Sequence, residues 1–286
     1  MKTLVIYSNL DGFAVQLKNH LEDALEELQI EWKECFIEDV FKASESFQPT
    51  MHIFFHPNEK IRQLFSGISE LKGHKLFWTH EDPYESDLTF DALPHFYYIF
   101  TSDENTANAL IKESSANHIA HVAHACNPKV HKPMEVSWNY KSDICFVGNA
   151  YESRLKFFQE HAEEYRDKLV KIIGVGYRGL DGYQYQHLLH GHISEEEMVR
   201  YYNGAKFVLN LHRQSGDLDM ANRRNIQPKS FNNRFYETWA CGKKQLVWGR
   251  GESIVWDKDY KEAHEKHSYK ARLMEHYLPL LKGIGK

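Results

Sequence analysis

The feature that most constrains this chain is an alternation, made twice over, of short apolar runs with segments of helical periodicity. Residues 3–7 form a short apolar run that ends in a polar turn at Asp11-Gly12, as a strand buried on both faces of a parallel sheet does. Phe13, Leu17, Leu21, Leu25 and Leu28 then recur at intervals of four and three, one face of an amphipathic helix. Further strands are expected at 30–37, 51–55, 75–78, 97–100 and 119–123, and helices at 59–71 and 104–113. Alternation with so little hairpin punctuation calls for parallel strands and crossover helices.

The pattern lapses over residues 127–140, which carry Pro128 and Pro133 and read as an interdomain linker. It restarts with a strand at 143–148, a helix at 153–165 and a strand at 169–175. Ser194-Glu-Glu-Glu197 is a capping box that opens a helix to 203. A strand at 206–211, a helix at 232–241 stopped by Gly242, a strand at 245–248 and a terminal helix at 260–281 complete the chain. The expected fold is therefore α/β, with two Rossmann-like domains facing across a cleft. They span residues 1–132 and 141–262, with 263–286 packing back toward the first.

Composition narrows the function classes. Lys plus Arg number 35 against 40 Asp plus Glu, a net charge of −5, which speaks against a general nucleic-acid coat. No apolar run approaches the ~20 residues that span a bilayer, and the apolar burst at the amino end is too short for a signal peptide. The four cysteines, Cys35, Cys126, Cys145 and Cys241, form no C-x-x-C pair and read as reduced and buried. A cytoplasmic protein is expected. There is no G-x-x-x-x-G-K-[ST] loop and no G-x-S-x-G elbow, and Gly174 and Gly176 do not complete a dinucleotide fingerprint. The histidine groups 118/121/124 and 187/190/192 lack cysteine partners or a His-Glu-x-x-His helix, so no metal site is expected.

In open parallel sheets, ligands sit beyond the carboxyl ends of the strands. Those exits hold Asp11-Gly12, Thr79-His80-Glu81-Asp82, Gly148-Asn149, Gly174-Val-Gly176, Asn210-Leu-His212-Arg213 and Trp248-Gly249. Taken singly, each glycine is explained by a tight strand–helix turn. More specific is the polar loop from Asn225 that leads into a helix with Arg234 in its first turn. A cation there opposes the helix dipole, and free N–H groups beside an arginine seat a diphosphate. Glu237, one turn on, could accept hydrogen bonds from sugar hydroxyls. A solvated arginine on a surface helix fits the same local pattern equally well.

Longer blocks carry a resemblance. Ser142-Asp-Ile-Cys-Phe-Val-Gly-Asn-Ala-Tyr-Glu-Ser-Arg154, the run from His192 to Arg213, and Asn232-Asn-Arg-Phe-Tyr-Glu-Thr-Trp-Ala-Cys-Gly242 resemble the carboxyl-terminal domain of the CgeB-like, spore-maturation type of glycosyltransferase. Phe77-Trp-Thr-His-Glu-Asp-Pro-Tyr84, Phe100-Thr-Ser-Asp103 and His267-Ser-Tyr-Lys-Ala-Arg272 are similar to the rest of that family. The resemblance implies a GT-B fold and metal-independent transfer of a sugar from a nucleotide-sugar donor, with no cofactor and a UDP-sugar the first expectation. It implies donor contacts at Gly148, Asn149, Arg154, Asn210, His212, Arg213, Asn233, Arg234, Glu237 and Gln245. Gly12, His80 and Asp82 fall on the acceptor side, and His80, Asp82 and Glu237 are the candidate catalytic residues.

Glycosyl transfer builds negative charge on the departing nucleoside diphosphate, which Arg234, Arg213 and helix N–H groups would stabilise. An inverting reaction needs a base, Asp82 or His80; a retaining one can leave the proton to the leaving phosphate. Two departures stand out. Gln245 occupies the place where related enzymes often carry a ribose-holding glutamate, and only Gly249 to Asp259 separates the last strand from the terminal helix. They keep open a second reading, a non-catalytic nucleotide-sugar-binding or structural spore-associated protein. The acceptor is left open among protein, glycan, small molecule and phage-type modified DNA.

Overall fold

A computed structural model describes residues 1–8, 12–180, 187–214, 216–217 and 221–284; Asp11 lies outside them. The chain divides into two compact units. Unit 1 holds β1 (Lys2–Tyr7), α1 (Gly12–Glu27), β2 (Glu31–Phe36), α2 (Val40–Phe47), β3 (Met51–Phe55), β4 (His74–Thr79), α3 (Ser86–Ala92), β5 (Tyr98–Thr101), α4 (Glu104–Glu113) and β6 (His118–His121). Its six strands are parallel, in the order β2-β1-β3-β4-β5-β6. Unit 2 holds β7 (Ser142–Val147), α5 (Glu152–Glu160), β8 (Val170–Gly174), β9 (His187–His190), α6 (Glu195–Gly204), β10 (Ala205–Leu211), α7 (Asn233–Ala240), β11 (Lys244–Trp248), β12 (Ile254–Trp256) and α8 (Tyr260–Lys266). Its order is β12-β11-β10-β7-β8-β9, parallel except for β12, which pairs antiparallel with β11.

Both sheets are covered on two faces, as continuous apolar strands require. In unit 2 the alternation is explicit. Cys145, Val147, Ile173 and Val208 pack with Met198, Val199 and Tyr202, while Phe146, Ile172 and Leu209 pack with Phe157, Phe158 and Tyr177. In unit 1, Leu4, Ile6, Phe54, Phe77 and Ile99 share a core with Val40, Phe47 and Leu110. Strand order reverses direction between β1 and β3 in unit 1 and between β7 and β10 in unit 2. These are the points where open α/β sheets bind ligands.

The structure departs from the sequence pattern in several places. The passage from unit 1 to unit 2 falls between His124 and Ala125, ahead of the proline-bearing stretch. That stretch lies within unit 2, where Met134 N–H donates to Asn203 Oδ1 (2.9 Å) and Asn203 Nδ2 to the Lys132 carbonyl (3.1 Å). Second, Met220–Ser230 returns to unit 1. Third, the helical run at 260–281 is broken at His267-Ser268, where Cys126 N–H bonds the His267 carbonyl (2.9 Å) and Cys126 bridges Ser268. α8 stays in unit 2, and Tyr269–Lys286 belongs to unit 1. Fourth, the helix expected at 59–71 resolves into two 3-10 segments, Glu59–Leu64 and Ile68–Glu70. Among the described residues no helix is long and apolar enough to cross a membrane.

Gly204 ends α6 where the chain leaves no room. A Cβ there would overlap the carbonyl oxygen of Tyr140. Gly204→Ala should therefore destabilise the protein by about 1–3 kcal/mol through overpacking, read as a lowered urea midpoint. An unchanged midpoint would show that the 127–140 stretch yields freely.

Candidate functional site

The crossing point of the unit 2 sheet is built around Gly148, the first residue beyond β7. Its φ of +157 favours glycine. Its N–H bonds the Ile173 carbonyl (2.8 Å), and its own carbonyl accepts the Tyr177 hydroxyl (2.9 Å). Gly174, at the end of β8, lies so close that a Cβ would overlap the Gly148 carbonyl. The β7 and β8 ends are thus pressed together, and the space over Gly148 is kept clear.

Two guanidinium groups flank that space. A Cβ built on Gly148 would lie 3.2 Å from Arg154 Nη1 and 3.1 Å from Arg234 Nη2. Arg154, on α5, is 2% exposed. Its Nε and Nη2 donate to the Leu211 carbonyl at the end of β10 (3.1 and 2.9 Å), and its Nη1 to the Asn149 carbonyl (2.7 Å). Its guanidinium also lies over the Tyr151 and Phe146 rings (4.5 and 5.3 Å). Burial, and then the Arg234 charge, push its pKa down to about 10, so it remains a cation at neutral pH. Arg234 makes no hydrogen bond or ion pair among the described residues. Two like charges beside one point are an arrangement that an anion would neutralise.

Arg234 is presented by the first turn of α7, which is braced from behind by an amide chain. Asn232 caps the helix by accepting from Phe235 N–H (3.1 Å) and donates Nδ2 to Asn210 Oδ1 (3.0 Å). Asn210 Nδ2 donates to Gln245 Oε1 (3.2 Å), and Gln245 Nε2 to the Phe235 carbonyl (2.8 Å). Asn210 and Gln245 are fully buried. The amide of Gln245 is thus bonded at both ends within unit 2, where the sequence had suggested a ribose contact. Glu237 is 3% exposed. Its Oε1 accepts Asn233 Nδ2 (2.7 Å), while its Oε2 has no hydrogen-bond partner among the described residues. A buried carboxylate oxygen left open is costly, and a hydroxyl-bearing ligand would satisfy it.

The β10 exit adds His212, fully buried with its ring 5.7 Å from Phe231, and Arg213, whose guanidinium lies 5.3 Å from the same Tyr151 ring. Asp217, which sequence reasoning missed, ties this exit to α5. It accepts from Ser153 N–H (2.9 Å), Ser153 Oγ (2.6 Å) and Gln214 N–H (2.6 Å). Tyr151 and Tyr177 were also missed, since an aromatic among many carries no spacing signal.

In unit 1 the candidates are packed inward. Gly12 opens α1 with nothing near a would-be Cβ. His80 is 5% exposed, stacked on Trp78 and edge-on to Phe55. Burial, with His56 and His124 nearby, pushes its pKa well below the usual value, so it is neutral. Asp82 accepts the Thr89 hydroxyl (2.9 Å) and the Thr101 hydroxyl (2.6 Å), joining α3 to β5. His80 and Asp82 thus belong to a cluster within unit 1.

Residues 152–253 match the glycosyl transferase-like family model, a span that holds α5, β10, α7 and β11. The chain is 26% identical over 260 residues to spore protein CgeB of Bacillus subtilis (strain 168), covering 86% of this chain and 79% of that one. Its fold is of the GT-B type, as two solved structures illustrate. AviGT4, a glycosyltransferase involved in avilamycin A biosynthesis, is 12% identical over 99% of this chain and 97% of its own, with a TM-score of 0.65. An alpha-glucosyltransferase in complex with UDP and a 13-mer DNA is 10% identical, covers 100% of both chains and has a TM-score of 0.61.

Asp82 generates a pH test. Burial raises its carboxyl pKa to about 7, against the pull of the two threonine hydroxyls. Between its unfolded value of about 4 and about 7, the folded protein holds a proton that the unfolded chain has released. The stability from this group is therefore greatest at the acid end and is lost as pH rises to about 7. Asp82→Asn should lack this slope and gain stability relative to wild type between pH 5 and pH 8 in paired urea titrations. A constant difference would show that Asp82 is ionised throughout.

Proposed function

We propose that this CgeB-like chain is a metal-independent glycosyltransferase that takes its sugar from a nucleotide-sugar donor, a UDP-sugar first among them. The observation that carries the reading is the pair Arg154 and Arg234 beside Gly148, at the crossing point of the unit 2 sheet. In the reaction the bond between the sugar C1 and the diphosphate oxygen breaks, and a bond from C1 to an acceptor hydroxyl oxygen forms. The electron pair leaves with the diphosphate. Two guanidiniums and the α7 N–H groups would meet that charge in a water-poor setting, where fixed donors contribute most. Glu237 Oε2 would accept a donor hydroxyl and orient the sugar. UDP bound to a similarly folded glucosyltransferase supports UDP as the first ligand to test.

Calorimetric titration with UDP should show binding to the wild type. Arg234→Ala should weaken it and slow transfer by about a hundredfold, the effect of removing one donor aimed at developing charge. Glu237→Gln should bind UDP nearly as wild type does yet lose affinity for the intact UDP-sugar. Equal binding of both ligands by both variants would return Arg234 to the status of a surface arginine. Donor turnover should also survive EDTA; loss on chelation and recovery with Mg²⁺ would overturn the arginine-based mechanism.

A further inference from the structure

The Gly148–Asn149 peptide leaves β7 at the crossing point of the unit 2 sheet with no side chain on Gly148 to fix its direction. A glycine lets the peptide beyond it turn with little steric cost. The direction has a chemical consequence. The bond is trans, and a trans peptide points its carbonyl and its N–H opposite ways. One setting turns the carbonyl oxygen toward Arg154 and Arg234, where it competes for their donors. The other holds that oxygen away and leaves the space beside them to the N–H.

Two contacts, both inside unit 2, set the second direction. Gly174 has no Cβ to stand in the way; one built there would overlap the Gly148 carbonyl oxygen. Into the same corner Tyr177 brings its hydroxyl, which donates to that oxygen (2.9 Å). The phenol is itself fixed. It is 1% exposed and packs edge-on against Phe146 and Phe158, with ring centroids 6.2 and 6.1 Å away. Burial pushes its pKa up, against the pull of Arg154 and Arg234, so the hydroxyl keeps its proton and stays a donor. The next carbonyl, of Asn149, is taken by Arg154 Nη1 (2.7 Å). The Asn149 N–H, directed away from Tyr177, makes no hydrogen bond among the described residues, and Asn149 is exposed.

We infer that Tyr177 is a positioning residue for the anion site: by holding the Gly148 carbonyl toward the end of β8, it presents the Asn149 N–H to an incoming phosphate as a third donor beside Arg154 and Arg234. The inference rests on the anion-binding reading of those two arginines. The guanidiniums supply charge. The backbone N–H adds a donor fixed before the ligand arrives, at no cost of reorganisation. Without the Tyr177 hydroxyl, the Gly148 carbonyl is left unpaired in a buried place and gains by turning toward the guanidiniums, which takes the N–H away with it.

The test is calorimetric titration of the full chain with UDP, with the Asn149 amide followed by NMR in protein isotopically labelled at asparagine. In wild type that amide proton should move downfield as UDP is added, because the N–H gains a charged acceptor. Tyr177→Phe removes one oxygen and keeps the ring packing. It should weaken UDP binding about tenfold, the loss of one hydrogen bond to a charged group, and abolish the downfield shift. A hydrogen bond with a structural task alone would lower the thermal midpoint of Tyr177→Phe and leave UDP affinity where it was; that result overturns the inference. So does UDP bound by wild type with the Asn149 amide unmoved, a measurement that decides the matter if Tyr177→Phe fails to fold. Arg234→Ala separates the two readings. UDP binding weakened there but unchanged in Tyr177→Phe leaves the arginines standing and removes the tyrosine. If wild type binds no UDP, both readings fall.

Discussion

The buried guanidinium of Arg154 is the contact on which the unit 2 site depends. It joins the ends of β7 and β10 by bonding the Asn149 and Leu211 carbonyls, the two loops that open the sheet at its crossing point. Carbonyls and aromatic faces satisfy its donors without neutralising its charge. Arg234, brought to the same glycine by α7, then adds a second positive charge. The two like charges repel one another, and the packing of α5 and α7 holds them beside the same glycine.

The fold was largely legible because buried parallel strands are continuous apolar runs, and ten of the twelve strands among the described residues fall on the expected segments. β9 and β12 were missed; β12 is apolar but only three residues long, too short to stand out as a strand. The break at His267-Ser268 was hidden because no glycine or proline marks it; the tie to Cys126 is long-range. Ile226 was equally invisible as a core residue, since one apolar side chain in a polar stretch has no period.

Within the site, Arg234 could be singled out because a cation in a first helical turn runs against the dipole. Arg154 came only through the family resemblance, although it too lies in the first turn of its helix. Asn210 and Gln245 show the limit of reading polar residues in strands. Each needs a partner when buried, and sequence cannot separate a partner in the protein from one in a ligand. Here they bond one another and the α7 backbone. Asp82 poses the same ambiguity, since its threonine partners lie seven and nineteen residues away.

The borrowing of residues 220–230 by unit 1 has a consequence for how the chain is made. A ribosome delivers the unit 1 strands first, at about 5–20 residues per second. The core around Phe54 and Phe77 stays open until Ile226 emerges. Thr3 does not meet the hydroxyl of Tyr277 until the chain has been released through unit 2. The first unit begun is thus the last to be finished, and a nascent chain carries an unsealed apolar surface throughout synthesis of the second.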